Sequence, residues 1–271
     1  KNYDVINGSL IISDKFKNES ISLPNIKCVS GSVKNDGFNS RLNNISMSAL
    51  EIIGKDLRIV PDPLDENNIN KKFSIKMEKL KIIAGEFWIG AGHFGSVDLS
   101  FPLLIYVGGE FGANISSIQS DAFPELSVVG GDFSITIKND SDFILKSLKN
   151  IMGSFSGNGT VFSFPILESI KKDLILDGSN FKSFLVPKLK SISGDFIIRM
   201  NSSLNKMDFS NLELVEGVVS VGNNNGDLNI VFEKLVKAGR ISLFNTLKTE
   251  SKSISFPELK ETVSDCSISN S

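Results

Sequence analysis

Apolar and polar positions along this chain recur as one short cassette. In Phe123 to Ile135, FPELSVVGGDFSI, the apolar positions are Phe123, Leu126, Val129, Phe133 and Ile135, and Gly131 separates two extended pieces. The same spacing returns in FPLLIYVGGEFGA (101–113), VPKLKSISGDFII (186–198) and FSNLELVEGVVSV (209–221). Written L-x-x-φ-x-G-x-φ-x-φ, with φ apolar, the cassette recurs about twelve times, from Tyr3–Ile12 to Leu259–Ile268. Copies lie mostly about 22 to 24 residues apart, as in solenoid repeats. The φ-x-φ alternation has period two and is filled by Val, Ile and Phe, which predicts strands. Gly marks a corner in most copies. Amphipathic helical patterns are scarce; the nearest, 142–150, already fits the repeat. The expectation is an all-β single domain over 1–271, with two strand pieces per coil stacked in parallel as a right-handed β-helix.

A further apolar column stands three places before the repeat Leu: Leu23, Phe101, Phe123, Phe164, Val186, Phe209 and Phe256. Pro follows at 24, 102, 124, 165, 187 and 257. An aromatic in coil after coil predicts a stacked ladder inside the core. Pro, without an N–H, suits the corner before a strand. The gap between copies three and four holds PDPLDENNINKK, 61–72, a polar insertion with Pro and Asn breakers. It reads as a protruding loop, or as an excursion with no role.

Composition narrows the function classes. The 271 residues are 41% hydrophobic, enough for a large core, and the formal charge is −2 from 29 basic and 31 acidic residues. No basic surplus exists to displace counterions from a phosphate backbone, so nucleic acid is not an expected partner. Apolar runs fall far short of the roughly 18 residues that span a bilayer. The only cysteines, Cys28 and Cys266, lie in the second and twelfth copies. At about 4.8 Å per stacked strand they would sit roughly 48 Å apart, whereas a disulfide needs Cα atoms within about 7 Å. Both are expected to be unpaired, with Cys266 facing inward.

The columns F-P-x-L-x-x-V-x-G-D-F-x-I resemble the receptor L-domain repeat. More closely, the chain resembles the fungal GPI-anchored cell-wall proteins that include the sporulation-specific wall proteins. The likeness covers nearly the whole chain. It rests on FPELSVVGGDFSI, FKSFLVPKLKSISGDFII, SSLNKMDFSNLELVEGVVSV and the closing FPELKETVSDCSI. It implies a receptor L-domain-like solenoid, secreted, N-glycosylated, placed at the cell surface or wall, and without enzymatic activity or cofactor. Its partners would be wall polysaccharide or another surface protein, and its membrane contact a lipid anchor outside this chain. Family precursors also carry a Ser/Thr-rich tail and a GPI signal, and this chain stops at SISNS without either.

Seven N-x-S/T sequons occur, about as many as chance supplies in so Asn- and Ser-rich a chain. Placement ranks them. Asn114, Asn139, Asn158 and Asn201 fall in predicted turns after the second strand, Asn18 and Asn44 are further candidates, and Asn7 sits inside a strand unit. The outward position between the last two φ residues reads Ile11, Lys34, Arg58, Trp88, Gly112, Ser134, Ser156, Ile175, Ile197, Ser220, Ser242, Ser267. Small residues leave a smooth face there. Trp88, near the loop carrying His93, with Tyr106 one coil on and Ser134 and Ser156 beyond, forms a possible ligand face for a sugar ring or a protein partner; otherwise the insertion covers Trp88. Asp132, Asp173 and Asp195, continued by Glu86 and Glu110, form a column after the Gly position. It reads as a catalytic cleft of the kind β-helix polysaccharide lyases and hydrolases need, or as structural turn residues. A single His allows neither a His-based triad nor a His-cluster metal site. The readings are a non-catalytic wall scaffold first, a receptor-like ectodomain second and a carbohydrate-active enzyme third.

Overall fold

The computed structural model describes residues 4–16, 18–36, 42–61, 70–178, 181–224, 230–245 and 254–269. Within them the chain is an all-β solenoid of parallel strands, with no α-helix. The predicted outward column is the register of the main sheet. Ile11 pairs with Lys34, Lys34 with Arg58, Arg58 with Trp88, and so on through Gly112, Ser134, Ser156, Ile175, Ile197, Ser220 and Ser242 to Ser267. The expected number of coils, about a dozen, is what stacks. A one-residue slip would expose every core side chain, so the φ-x-φ pattern fixes this register.

Most coils open with a two-residue strand such as Val128–Val129, bend, usually at Gly, and run on in a longer strand such as Phe133–Ile137; in Leu214–Gly222 and Lys237–Phe244 the two pieces are one continuous strand. A third strand was not expected. It closes the coil on a further wall and forms two separate four-stranded sheets and a two-stranded one, Ile230–Val231 with Ile254–Ser255. One contains Ser20–Ser22, Asn44–Ser46, Lys72–Lys76 and Ser96–Ser100; the other contains Asp142–Ile144, Val161–Ser163, Ser183–Leu185 and Lys206–Asp208. The break between them has a local cause. Gln119 and Ser117 stand where a strand would pair: Val97 N–H donates to Ser117 Oγ, Leu99 N–H to Gln119 Oε1, and Gln119 Nε2 donates back to Val97 O. Side chains thus satisfy the edge of Ser96–Ser100 in place of a neighbouring strand.

The corner F-P-x-L is a hydrogen-bonded β-turn. Leu104 N–H donates to Phe101 O at 3.2 Å, Leu167 N–H to Phe164 O at 3.1 Å and Leu189 N–H to Val186 O at 3.0 Å. Pro102, Pro165 and Pro187 take the second turn position, where a fixed φ is favourable and the missing N–H costs nothing. Behind the turns lies the expected ladder, and a second beside it. Phe101 stacks on Phe123 at 5.2 Å and 8°. Phe87, Phe111 and Phe133 stack in a second ladder at 4.6 and 4.7 Å. The ladders meet edge to face, as Phe111 and Phe123 do at 81°, a geometry favoured by the ring quadrupole.

The insertion expected over 61–72 lies for the most part outside the described residues; its last residue, Lys72, opens a strand of the third wall. Both cysteines are free, as expected. The inward burial of Cys266 is not observed. Cys266 stands one place before Ser267, in the column of buried Ile241, but its coil has a neighbour on one side only among the described residues, and Cys266 is exposed.

Candidate functional site

The acidic column was the strongest enzymatic candidate, and its geometry gives it another job. Asp195 Oδ1 accepts the Val218 N–H at 2.8 Å, Asp173 Oδ1 accepts the Asp195 N–H at 2.8 Å, and Asp132 Oδ1 accepts the Ser154 N–H at 2.8 Å. Asp56 does the same for Glu86 N–H at 3.0 Å, and Ser9 and Ser154 hydroxyls do it for Ser32 and Asp173. In each case a side-chain oxygen of one coil holds an amide of the next. The glycine one place earlier makes room: a Cβ on Gly194 or Gly217 would collide with Asp173 or Asp195 Oδ1. The Gly-Asp pair is therefore a unit of coil-to-coil adhesion. Replacing Asp195 by Ala leaves the Val218 amide without its acceptor, and we expect a loss of about 1–3 kcal/mol in chemical denaturation. Asp195→Asn, which keeps an acceptor oxygen, should lose less.

Glu86 and Glu110 continue the column without these bonds. Burial, then Glu86 and Asp132 alongside, push the Glu110 carboxyl above the ordinary glutamate range. On the third wall, the hydrogen bond from Lys72, 2.7 Å away, holds Asp98 below the usual carboxylate range, with Lys76 at 3.6 Å. Among the described residues, no cluster of His, Cys, Asp and Glu is arranged to hold a metal ion.

Trp88 does not stand out from the sheet. Its six-membered ring lies over Gly112, where a Cβ would collide with it, and the Arg58 guanidinium sits 5.6 Å over the ring. Trp88 is half-buried between these two neighbours in its column. A related arrangement recurs farther along, where Phe244 covers Gly222 and Arg199, on the other side of that glycine, lies 5.3 Å over the Phe244 ring. Arg199 also donates to the buried hydroxyl of Ser220. Ser134 and Ser156 are half-buried on the same column, whereas Tyr106, 39% exposed, belongs to the row of first strands. Tyr106 there joins a stripe that went unnoticed in the sequence. Val5, Cys28, Ile52, Ile82, Tyr106 and Val128 pair in register and all remain at least partly exposed. Its signal was the residue before the repeat Val, apolar in the first six coils and polar in most later ones.

The sequons divide sharply. Asn139 is exposed in a bend, as expected, and Asn18 is exposed in a connection. Asn114 is exposed but lies within the strand Phe111–Ile115 rather than in a turn. Asn158 ends a strand, half-buried, and Asn44 is half-buried in a strand paired on both sides. Asn7 is in an exposed bend between two strands, not inside one. Asn201 is fully buried: Nδ2 donates to Leu176 O and Arg199 O, each at 2.8 Å. A left-handed residue at Met200, φ 53°, turns the chain inward there, a role taken by Gly178 and Asn223 in the adjoining coils. An amide nitrogen with its hydrogens committed inside the core cannot carry a glycan, so Asn201 is withdrawn as an acceptor.

No protein-family model, curated protein or solved structure matches the chain. The functional reading therefore rests on the geometry above and on the repeat grammar.

Proposed function

We propose that the chain is a non-enzymatic extracellular rod, the folded part of a secreted, N-glycosylated cell-wall protein that is GPI-anchored in its precursor and supports wall organisation, the spore wall included. Twelve coils at about 4.8 Å give a rod roughly 50 Å long. The observation that supports this reading best is the fate of the acidic column. The carboxylates of Asp132, Asp173 and Asp195 are spent on backbone amides of neighbouring coils, where a hydrolase or lyase would aim them at a shared substrate position. Its partners in this reading are wall polysaccharide or another surface protein. A receptor-like ectodomain is the second reading, favoured by the exposed apolar stripe from Val5 to Val128.

The test is to make the chain in a eukaryotic secretory host and to incubate it with isolated wall polysaccharide. We expect a mass decrease on amidase treatment, glycan on Asn139, an unmodified Asn201, and co-sedimentation with the polymer. An unmodified, unretained chain would defeat the wall reading. Turnover of β-glucan or pectin-like polymer, abolished by Asp173→Asn, would replace it with the enzymatic one.

A further inference from the structure

One coil departs from its neighbours in a way the repeat does not demand. The strand Phe133–Ile137 reaches the third-wall strand Asp142–Ile144 through residues 138–141. The next coil passes from Phe155–Asn158 to Val161–Ser163 through Gly159 and Thr160 alone. That coil advances 19 residues from Ser154 to Asp173, against 22 from Asp132 to Ser154. So short a corner cannot reach as far outward as the corner before it. Gly159 is needed for it, because a Cβ there would meet the Phe162 ring at 2.8 Å.

The recess left by the short corner is a notch of about 690 Å³, within the range of small-molecule clefts. Thr160 is its buried floor, and the Thr160 hydroxyl donates to Asp140 Oδ1 at 2.9 Å. Lys182 donates to Asp140 Oδ2, also at 2.9 Å, from 42 residues along the chain. This ion pair joins the coil before to the coil after and vaults the short one. Ile118, Ile144 and Val161 supply apolar lining. A smaller hollow of about 250 Å³ shares Asp140 and Thr160 and adds Asn158 and Lys138.

We propose that this notch binds a saccharide, with Asp140 and Lys182 engaging ring hydroxyls and the apolar wall taking the C–H face of the sugar. The chemistry follows from the lining. Asp140 and Asp142 stand in the lining against Lys182, an excess of negative charge that disfavours a free anion. A hydroxylated ring offers donors to the carboxylates and acceptors to the ammonium. Apolar side chains beside a few convergent polar groups are what orient a small ligand. Asp140 and Lys182 are open to water, so each of their contacts with a ligand contributes little. The sugar has two possible sources: a polysaccharide outside the molecule, or the chain's own N-glycan, since the sequon Asn139 directly precedes Asp140 and Asn158 lines the adjoining smaller hollow. The proposal goes beyond the wall reading, and either can fail while the other stands.

The experiment titrates the whole chain with short β-glucan, chitin and mannan oligosaccharides, followed by NMR. It uses protein made without glycosylation, and glycosylated protein before and after amidase. We expect saturable binding of at least one saccharide by the unglycosylated chain, weakened at least about tenfold by Asp140→Asn and by Lys182→Met, with thermal midpoints little changed because both side chains are exposed. Binding by the glycosylated chain both before and after amidase identifies an external ligand. Binding that emerges only after amidase identifies the chain's own glycan as occupant. The absence of saturable binding in every form, or binding that survives both substitutions, overturns the proposal.

Discussion

Replacing Phe111 by Ala is expected to destabilise the solenoid by about 3–5 kcal/mol, the cost of emptying a large buried aromatic site. Phe111 is fully buried at the crossing of both ladders. It stacks on Phe87 at 4.6 Å and on Phe133 at 4.7 Å, and meets Phe123 edge to face at 5.2 Å. Its removal takes contacts from three coils at once. The site collapses poorly, because each neighbouring ring is held by its own coil through the sheet. Phe111→Leu, which keeps most of the volume, should cost clearly less. Denaturant unfolding followed by CD is the measurement. A loss below about 1 kcal/mol for the Ala variant would mean that the rings are not packed as a shared column.

Gly130→Ala is expected to be nearly as damaging, although it adds a single methyl group. The new Cβ would collide with Gly108 O and come within 2.8 Å of Gly108 C in the preceding coil. These are backbone atoms, which cannot swing aside as a side chain does. The strands must part locally, and the Gly130 N–H to Val107 O bond, 2.8 Å, lengthens with them. Overpacking usually costs about 1–3 kcal/mol, and a backbone obstacle places this variant at the upper end. Gly178→Ala is the control: nothing lies near its Cβ position, and φ is +63°, so its cost comes from the backbone conformation alone. Equal thermal midpoints for Gly130→Ala and wild type would remove close coil-to-coil approach as the reason for glycine at position 130.

The main register was readable from residues 1–271 because burial on one face makes a period-two pattern intolerant of slippage. Every residue of the outward column from Ile11 to Ser267 pairs as its spacing implied. The F-P-x-L corners were readable for a related reason: Pro and the repeat Leu occupy fixed offsets in one turn. Features that depend on a neighbouring coil were not readable. The third strand hides in segments such as Val97-x-Leu99-x-Phe101, a short alternation that runs straight into the aromatic column. Trp88 looked like a free platform because Arg58 and Gly112 close on it from 30 and 24 residues away. Asn201 matched a glycosylation motif, yet the left-handed turn at Met200 buries it. The notch arises from residues that one coil lacks, and such a lack has meaning only beside the longer coil before it.

The Asp and Ser side chains that clasp the following coil also decide how the molecule would respond to tension. Each clasp spans 19 to 30 residues and reaches one coil ahead, never two. A pull on either end would therefore load a single seam while the remainder stayed folded. The stack would peel turn by turn, each step freeing roughly 70–80 Å of extended chain for about 22 residues released.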